Sequence, residues 1–260
     1  FFGNSDGKNS FYIHGALEDK IGKIISIVKT SKESDIGKKV AMHVSALSPM
    51  AIEEKDLNKD IQVKAIGSNY HKKIFNSNFE KKLKFNKKIL YIASSFMSEE
   101  NRLLYGTIID PVLYDWQKYL IELLQSFNYD VIYKMHPKGV FQEDNNLGQI
   151  AAYKNTKPIT ESFKDSDIVV VDYAGSAFVE ALCAGKDVIY IDMKQRQFNK
   201  DNFEDLNSIV KIVSTNQHNG TFYVETEKLL KALRSPQKNI DKQRELVKEY
   251  WLEGEQVSID

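Results

Sequence analysis

The segment that decides the fold is Ser166-Asp167-Ile168-Val169-Val170-Val171-Asp172-Tyr173-Ala174-Gly175-Ser176-Ala177. Its four consecutive β-branched residues, Ile168–Val171, predict a short strand that is buried on both faces, as in a parallel sheet. A turn follows, in which Gly175 permits a tight bend and Ser176 can cap a helix over residues 176–184. A strand, a turn and a helix in this order are the repeating unit of α/β folds.

The same alternation of strand and helix continues on both sides of this segment. Strands are predicted at residues 10–13, 40–44, 63–66, 89–92, 131–134, 168–171, 188–191 and 208–213. Helices are predicted at residues 17–29, 68–75, 112–126, 176–184, 226–232 and 241–251. A chain that alternates in this way favours parallel sheets joined by crossover helices. A polar, lysine-rich stretch near residues 76–88 predicts a linker between two domains.

Composition narrows the class of protein. Lys+Arg and Asp+Glu each number 36, and the resulting zero net charge argues against a general nucleic-acid binder. The single cysteine, Cys183, excludes a disulfide framework and fits a reducing compartment. No apolar stretch approaches the roughly 20 residues that span a bilayer. The first residues, Phe1-Phe2-Gly3, read like the end of a strand, so we expect an N-terminal domain that is incomplete.

Polar residues follow two neighbouring strands of the pattern, at the edge where ligands bind in open α/β sheets. Ser94 follows one strand, and Lys134, His136 and Pro137 lie at the end of the next. His136 could donate a hydrogen bond to a phosphate oxygen, Pro137 fixes the backbone beside it, and Lys134 adds positive charge. A loop histidine without a binding role is the alternative interpretation of His136.

The turn after residues 168–171 adds a second set of candidates. N–H groups at the start of the following helix, near Gly175 and Ser176, suit a phosphate because the positive end of the helix dipole lies there. Glu180 lies one turn inside that helix. An ordinary helix cap and a structural carboxylate are the alternative interpretations. The five histidines show no ligand spacing, so no metal site is predicted.

This ordered set of motifs resembles a known family. His-Pro-Lys at residues 136–138, followed by the 166–177 segment and Glu180, is similar to bacterial GT-B glycosyltransferases of capsule or lipopolysaccharide biosynthesis. The nearest resemblance is to the HP-motif type that uses CMP-activated Kdo or sialic acid, and it covers about residues 60–255. Glycerophosphotransferases of teichoic-acid synthesis look similar in the same region. Residues 66–71 resemble a segment that closes the N-terminal domain of the group, with His71 in place of the usual Asp.

The resemblance implies a GT-B fold, with two Rossmann-like domains that have parallel sheets. It divides the chain into a partial N-terminal, acceptor-side domain at residues 1–75, a linker at 76–88, a nucleotide-sugar-binding domain at 89–235, and a C-terminal helix at 236–260 that returns to the N-terminal domain. Tyr250 and Trp251 would then pack at the domain junction.

The resemblance also assigns roles to single residues. His136 and Ser176 are expected to contact the same nucleotide phosphate from neighbouring strands, and Glu180 to meet the ribose or the sugar. The catalytic base or nucleophile is expected in the N-terminal domain, where Asp6, in Asn4-Ser5-Asp6-Gly7, and His14 are the candidates. Asp-Gly is also a common turn, which is the alternative for Asp6.

The function expected from the resemblance is a metal-independent glycosyltransferase that needs no cofactor. It would move a sugar, with CMP-linked Kdo or sialic acid favoured, from a nucleotide donor to a glycan or glycolipid acceptor. We expect a cytoplasmic enzyme, with peripheral inner-membrane association as an option raised by the lysines near residues 81–88, for which a solvated linker is the alternative. The other functions left open are a CDP-glycerol-type glycerophosphotransferase, a nucleotide-sugar epimerase and a non-catalytic nucleotide-binding module.

Overall fold

The computed structural model describes ten stretches of the chain: residues 2–3, 10–13, 25–29, 42–46, 61–65, 68–79, 87–96, 108–136, 146–194 and 200–252. Up to residue 65 only the backbone is described. The chain divides into two compact units. The first contains residues 1–73, 197–206 and 241–260, and the second contains residues 74–196 and 207–240. The domain bounds expected from the sequence remain predictions.

The first unit contains a five-stranded sheet among its described residues. Its strands, which neighbour one another in chain order, are β1 (Phe2–Gly3), β2 (Ser10–Ile13), β3 (Ile25–Lys29), β4 (Met42–Ala46) and β5 (Ile61–Ala65). The pairs β1/β2, β2/β3 and β3/β4 are antiparallel, and β4/β5 is parallel. The expectation of a parallel, Rossmann-like sheet in residues 1–75 is therefore wrong for three of the four strand pairs.

The cause of this difference is visible in β3. The sequence predicted a helix over residues 17–29, but Ile25–Lys29 is a strand that pairs with both β2 and β4. Its sequence, Ile-Ser-Ile-Val-Lys, is rich in β-branched residues, which fit a strand better than a helix. Residues 17–24 of the predicted helix lie outside the described residues. With β3 extended, the chain can return by an antiparallel connection without a crossover helix.

The second unit contains a seven-stranded sheet. Its strands are β6 (Lys88–Ile92), β7 (Asp130–Lys134), β8 (Tyr153–Lys154), β9 (Ile168–Val171), β10 (Asp187–Asp192), β11 (Lys211–His218) and β12 (Thr221–Val224). They lie in the order β12-β11-β10-β9-β6-β7-β8, and every neighbouring pair is parallel except the β11/β12 hairpin. The prediction of a mostly parallel α/β sheet is confirmed for this half. The first six strands follow the 3-2-1-4-5-6 order of Rossmann folds.

Eight α-helices and one π-helical turn accompany the described strands. They are α1 (Asn69–Asn78), α2 (Asp110–Ser126), α3 (Leu147–Ile150), α4 (Ile159–Ser162), α5 (Ser176–Cys183), α6 (Lys200–Ile209), α7 (Thr226–Arg234), α8 (Ile240–Val247) and the turn Lys248–Leu252. None of these helices is both long and apolar enough to cross a membrane. The strand predicted at residues 208–213 begins only at Lys211, because residues 208 and 209 complete α6.

The core of the second unit forms around β9 and α2. All four residues of β9 are buried, as their unbroken apolar sequence predicted. On α2, the residues Leu113, Trp116, Leu120 and Leu124 recur at three- and four-residue spacing and are buried in the same cluster as strands β6, β7, β9 and β10. Full burial of such side chains stabilises a fold by roughly 1.5–3 kcal/mol each. The packing therefore fixes α2 against the sheet near the ends of β6 and β9.

The C-terminal segment of the first unit is tied to the start of α1. The backbone N–H of Ser68 donates to the carbonyl oxygen of Trp251 at 2.9 Å. Tyr250 and Trp251 are both buried, and the Tyr250 hydroxyl donates to Asp205 at 3.4 Å. Their expected position at a domain junction remains a prediction.

Candidate functional site

The strand order places a topological switch point at the centre of the second sheet. β6 is the first strand of this unit, and the chain moves outward from it in both directions, through β7 on one side and β9 on the other. Such a topological switch point is where ligands bind in open α/β sheets, beyond the carboxyl ends of the strands. The loops at this point are residues 93–96, after β6, and residues 172–175, after β9.

Asp172 is the buried polar centre of the switch point. Only 1% of its surface is exposed, and its carboxylate accepts hydrogen bonds from the Tyr91 hydroxyl at 2.5 Å, the Ser94 backbone N–H at 2.7 Å and the Trp116 indole N–H at 3.1 Å. Burial raises the pKa of the Asp172 carboxyl, and these hydrogen bonds oppose that shift. Asp172 therefore joins β6, β9 and α2 through one side chain.

A second set of hydrogen bonds reaches β7. The Gln117 side-chain amide donates to the carbonyl oxygen of Ser94 at 2.9 Å, and its own oxygen accepts from the Tyr133 hydroxyl at 2.8 Å. Gln117 and Tyr133 have no exposed surface. Burial raises the pKa of the Tyr133 phenol, so it remains a hydrogen-bond donor at neutral pH. Residues from three neighbouring strands are thus connected at the switch point.

The turn after β9 differs in detail from the sequence-based interpretation. Gly175 is the N-cap residue of α5 and has φ −108° and ψ −160°, an extended conformation that any residue can adopt. Its requirement is one of space, since a Cβ atom there would lie 3.1 Å from the ring of Tyr173. Ser176 is the exposed first residue of α5 and not its cap, and no side-chain cap hydrogen bond is present at this helix start. Ser176 is thus available to a ligand.

Lys134 and Glu180 are within electrostatic reach of each other. Lys134 is half-buried at the end of β7, and its ammonium group donates to the carbonyl oxygen of Lys157. Burial lowers the pKa of Lys134, and the nearby Glu180 carboxylate opposes that shift. Glu180 is 8% exposed on α5. A buried carboxylate beside a lysine can orient a hydroxyl group or balance charge.

Cys183, on the same helix as Glu180, is not a nucleophile. It is fully buried, and burial raises the pKa of its thiol far above the usual range. Cys183 is therefore a residue of the apolar core.

His136 follows β7 and is half-buried. The expectation that His136 and Ser176 lie at the ends of neighbouring strands is wrong, because β6 pairs with both β7 and β9 and separates them. Strands lie about 4.8 Å apart, so these two strand ends are roughly 10 Å apart. A ligand that contacts both residues must extend across the end of β6, where Ser94 lies.

Pro137, Asp6 and His14 lie outside the described residues. His71, the departure from the family pattern, is 5% exposed, and its Nδ1 atom lies 2.8 Å from Ser68 Oγ. Burial lowers the pKa of His71 to about 4, so its ring is neutral at physiological pH.

Within the described part of the chain, no cluster of three or more His, Cys, Asp or Glu side chains could hold a metal ion.

Sequence reasoning missed Asp172, Gln117 and Tyr133 as site residues. A signal for Asp172 was present, because an acidic residue directly after an all-apolar strand lies at the ligand edge of a parallel sheet. The signal for Gln117 was weaker: it is a polar residue next to Trp116 on the buried face of α2. Tyr133 gave none, since an aromatic residue within a strand is ordinary.

Comparison with known families gives a match in the first part of the chain. The family model of elongation factor Ts matches residues 2–95, which is less than half of the chain. Elongation factor Ts of Cereibacter sphaeroides is 42% identical over 48 residues, or 18% of this chain and 16% of that protein. Elongation factor Ts of Wolbachia pipientis is 35% identical over 57 residues, or 21% of this chain and 20% of that protein. The chain thus spans about a fifth or less of the curated relatives that it matches.

Among solved structures, the chain is similar to a protein of Thermosulfurimonas dismutans, KpsC, a beta Kdo 2,7 transferase. The similarity covers 68% of this chain and 78% of that chain, with 14% sequence identity and a TM-score of 0.33. A TM-score of this size does not establish a shared fold. The candidate site is therefore defined by the chain's own strand order and hydrogen bonds, and these comparisons do not assign the whole chain to a family.

Proposed function

We propose that the second unit binds a nucleotide at its switch point and that the protein is a glycosyltransferase that uses a nucleotide-sugar donor. The observation that supports this most is the Rossmann strand order, with Ser94, Asp172 and Ser176 close to the carboxyl ends of its central strands. The His-Pro motif and its spacing to the 166–177 segment favour the GT-B, HP-motif type. They also favour a CMP-linked acidic sugar, such as Kdo or sialic acid, as the donor.

In this proposal the residues around the switch point stabilise the leaving nucleotide. Charge builds on the phosphate oxygens as the bond to the sugar breaks, and His136, Lys134 and the N-terminus of α5 beside Ser176 would counter it. Glu180 would meet the ribose or the sugar. Protein groups would supply this stabilisation without a metal ion. The base or nucleophile would come from the first half, where Asp6 and His14 are the candidates.

The partners in this proposal are a nucleotide-sugar donor and a glycan or glycolipid acceptor of capsule or lipopolysaccharide assembly. A cytoplasmic enzyme at the inner membrane face would meet lipid-linked acceptors. Flotation of the protein with anionic and with neutral liposomes tests this location. Equal recovery with both kinds of liposome would argue against electrostatic membrane association.

Calorimetric titration with CMP, CDP and UDP tests the proposed function. Preferred binding of CMP supports a CMP-sugar donor, whereas preferred binding of CDP would favour the glycerophosphotransferase alternative. The His136→Ala variant is the matched test of mechanism. Loss of one such hydrogen-bond donor commonly lowers turnover by about 10²–10³-fold, so hydrolysis of a CMP-sugar should slow much more than CMP binding weakens. No binding of any of the three nucleotides would refute the proposal.

A second candidate function concerns the first half alone. The match of residues 2–95 to the elongation factor Ts model favours an origin of this segment in translation. Expression of the chain in bacteria depleted of their own elongation factor Ts tests this candidate. Restored growth would support an elongation-factor role, and absence of rescue by a well-expressed, folded chain would count against it.

A further inference from the structure

Both backbone polar groups of Ser94 are held by buried side chains from other elements. Its N–H donates to Asp172 Oδ1 at 2.7 Å, and its carbonyl oxygen accepts from Gln117 Nε2 at 2.9 Å. Asp172 and Gln117 are 1% and 0% exposed. A loop residue at the end of a strand is thus fixed from two sides.

The two side chains that bond to Ser94 accept further hydrogen bonds from buried residues. Asp172 Oδ2 accepts from the Tyr91 hydroxyl and the Trp116 indole N–H, and Gln117 Oε1 accepts from the Tyr133 hydroxyl. We call these five residues, Asp172, Gln117, Tyr91, Trp116 and Tyr133, the Ser94 clamp. Since they come from β6, β7, α2 and the end of β9, the clamp connects three neighbouring strands of the sheet with α2.

The Tyr133 hydroxyl fixes the orientation of the Gln117 amide. The Tyr133 hydroxyl donates its hydrogen to Gln117 Oε1. The amide therefore presents its NH₂ group to the Ser94 carbonyl oxygen. The reverse orientation would bring two carbonyl oxygens together. Without the Tyr133 hydroxyl, this orientation loses its support, and the loop at Ser94 loses one of its two attachments.

The Ser94 hydroxyl makes no well-aligned hydrogen bond within the described part of the chain. Ser94 is 9% exposed, and its buried Oγ atom lies close enough to Asp172 to oppose the rise in the pKa of that carboxyl. The angles of a hydrogen bond are nevertheless not met between this Oγ atom and any atom of the described residues. A buried hydroxyl without a partner costs free energy, and an alanine would avoid that cost. Ligands of such sheets bind at this strand end. An acceptor atom of a ligand could therefore take the hydrogen bond that the Ser94 hydroxyl does not make with the described residues.

We infer that the Ser94 clamp positions the Ser94 hydroxyl as a hydrogen-bond donor to a phosphate oxygen of the bound nucleotide. Asp172, Gln117 and Tyr133 act as positioning residues, through Ser94, and do not touch the ligand. Ser94 lies at the end of β6, between the ends that carry His136 and Ser176, so a phosphate there lies between the two other candidate contacts. The inference rests on the proposed nucleotide site.

A double-mutant cycle tests the inference, with CMP as the probe and calorimetry as the measurement. Ser94→Ala should weaken CMP binding about tenfold, the usual effect of one hydrogen bond to a charged group. Tyr133→Phe, which leaves the ring in the core, should weaken binding about threefold to tenfold in the parent protein. In the Ser94→Ala background the same change should have no effect. Tyr190→Phe, which deletes a buried hydroxyl on β10 outside the clamp, is the matched control.

The outcomes separate the inference from the proposed function. If the parent protein does not bind CMP, CDP or UDP, the proposed function fails. If it binds CMP but Tyr133→Phe weakens binding equally in the parent and in the Ser94→Ala background, the clamp is only structural and the inference is wrong. Unchanged CMP affinity in folded Ser94→Ala or Tyr133→Phe protein also overturns it. If Tyr133→Phe does not fold, Tyr91→Phe removes a different clamp hydrogen bond and takes its place in the cycle.

Discussion

The buried imidazole of His71 predicts that the first unit loses stability in mildly acidic solution. Its backbone N–H donates to Ser68 Oγ at 3.3 Å, and its Nδ1 atom lies 2.8 Å from the same oxygen. A charged ring would need a second N–H donor at Nε2, and this atom is buried without a hydrogen-bond partner among the described residues. The ring is therefore held in its neutral form, and burial lowers its pKa from 6.5 to about 4.

The direction of the effect follows from proton linkage. The unfolded chain takes up a proton at His71 below pH 6.5, whereas the folded chain does so only near pH 4. Stability from this group is complete above pH 6.5 and is lost as the pH falls toward 4. The linkage relation gives a loss of about 2 kcal/mol in the free energy of unfolding between about pH 7.5 and pH 5.

Urea unfolding followed by tryptophan fluorescence measures this loss. The chain has two tryptophans, and Trp251 lies in the same unit as His71, so a Trp116→Phe background leaves a probe of that unit alone. His71→Gln keeps a polar side chain but removes the titrating group. We expect its loss of stability on acidification to be smaller than the parent's by about 2 kcal/mol. Equal losses in both proteins would refute the reasoning, because His71 would then not differ in proton affinity between the two states.

Two further predictions concern the second unit. Gly185→Ala should destabilise it by about 1–3 kcal/mol, because residue 185 has φ +67° and a Cβ atom would lie 3.2 Å from Phe79. Gly220→Ala, at φ +80° with no atom of the described residues within 4 Å, should show only the backbone cost of about 1 kcal/mol in the same thermal melts. Lys211→Met should cost about 3–5 kcal/mol, since it leaves the Asp187 carboxylate, now 2.7 Å from the ammonium group, buried without its partner. Adding Asp187→Leu to Lys211→Met should restore most of that stability. A melting temperature of the double variant as low as that of Lys211→Met alone would contradict this account.

The sequence predicted those features that depend on neighbouring residues. Strand β9 was predicted with its observed bounds, Ile168–Val171, because an unbroken β-branched run has few alternatives. The apolar spacing of α2 was equally clear, and the helix begins at Asp110 with Pro111 in its first turn. Local patterns failed at β3, where apolar spacing suggested a helix but the pairing with β2 and β4 favoured a strand.

The features that could not be predicted depend on residues far apart in the chain. Tyr91 and Trp116 lie 81 and 56 residues from Asp172, and no local pattern indicates that they share one carboxylate. The strand order is also a long-range property. Without it, His136 and Ser176 were expected at neighbouring strands, whereas β6 lies between them.

Hydrogen–deuterium exchange with and without CMP tests the central claim, that a nucleotide binds beyond the carboxyl ends of β6, β7 and β9. The account predicts slower exchange on CMP binding in the peptides that contain residues 93–96 and 173–180, together with the peptide that contains His136. The β11/β12 hairpin and α7 should exchange at the same rate with and without CMP. Protection confined to the hairpin and α7, or no protection anywhere at saturating CMP, would contradict the account.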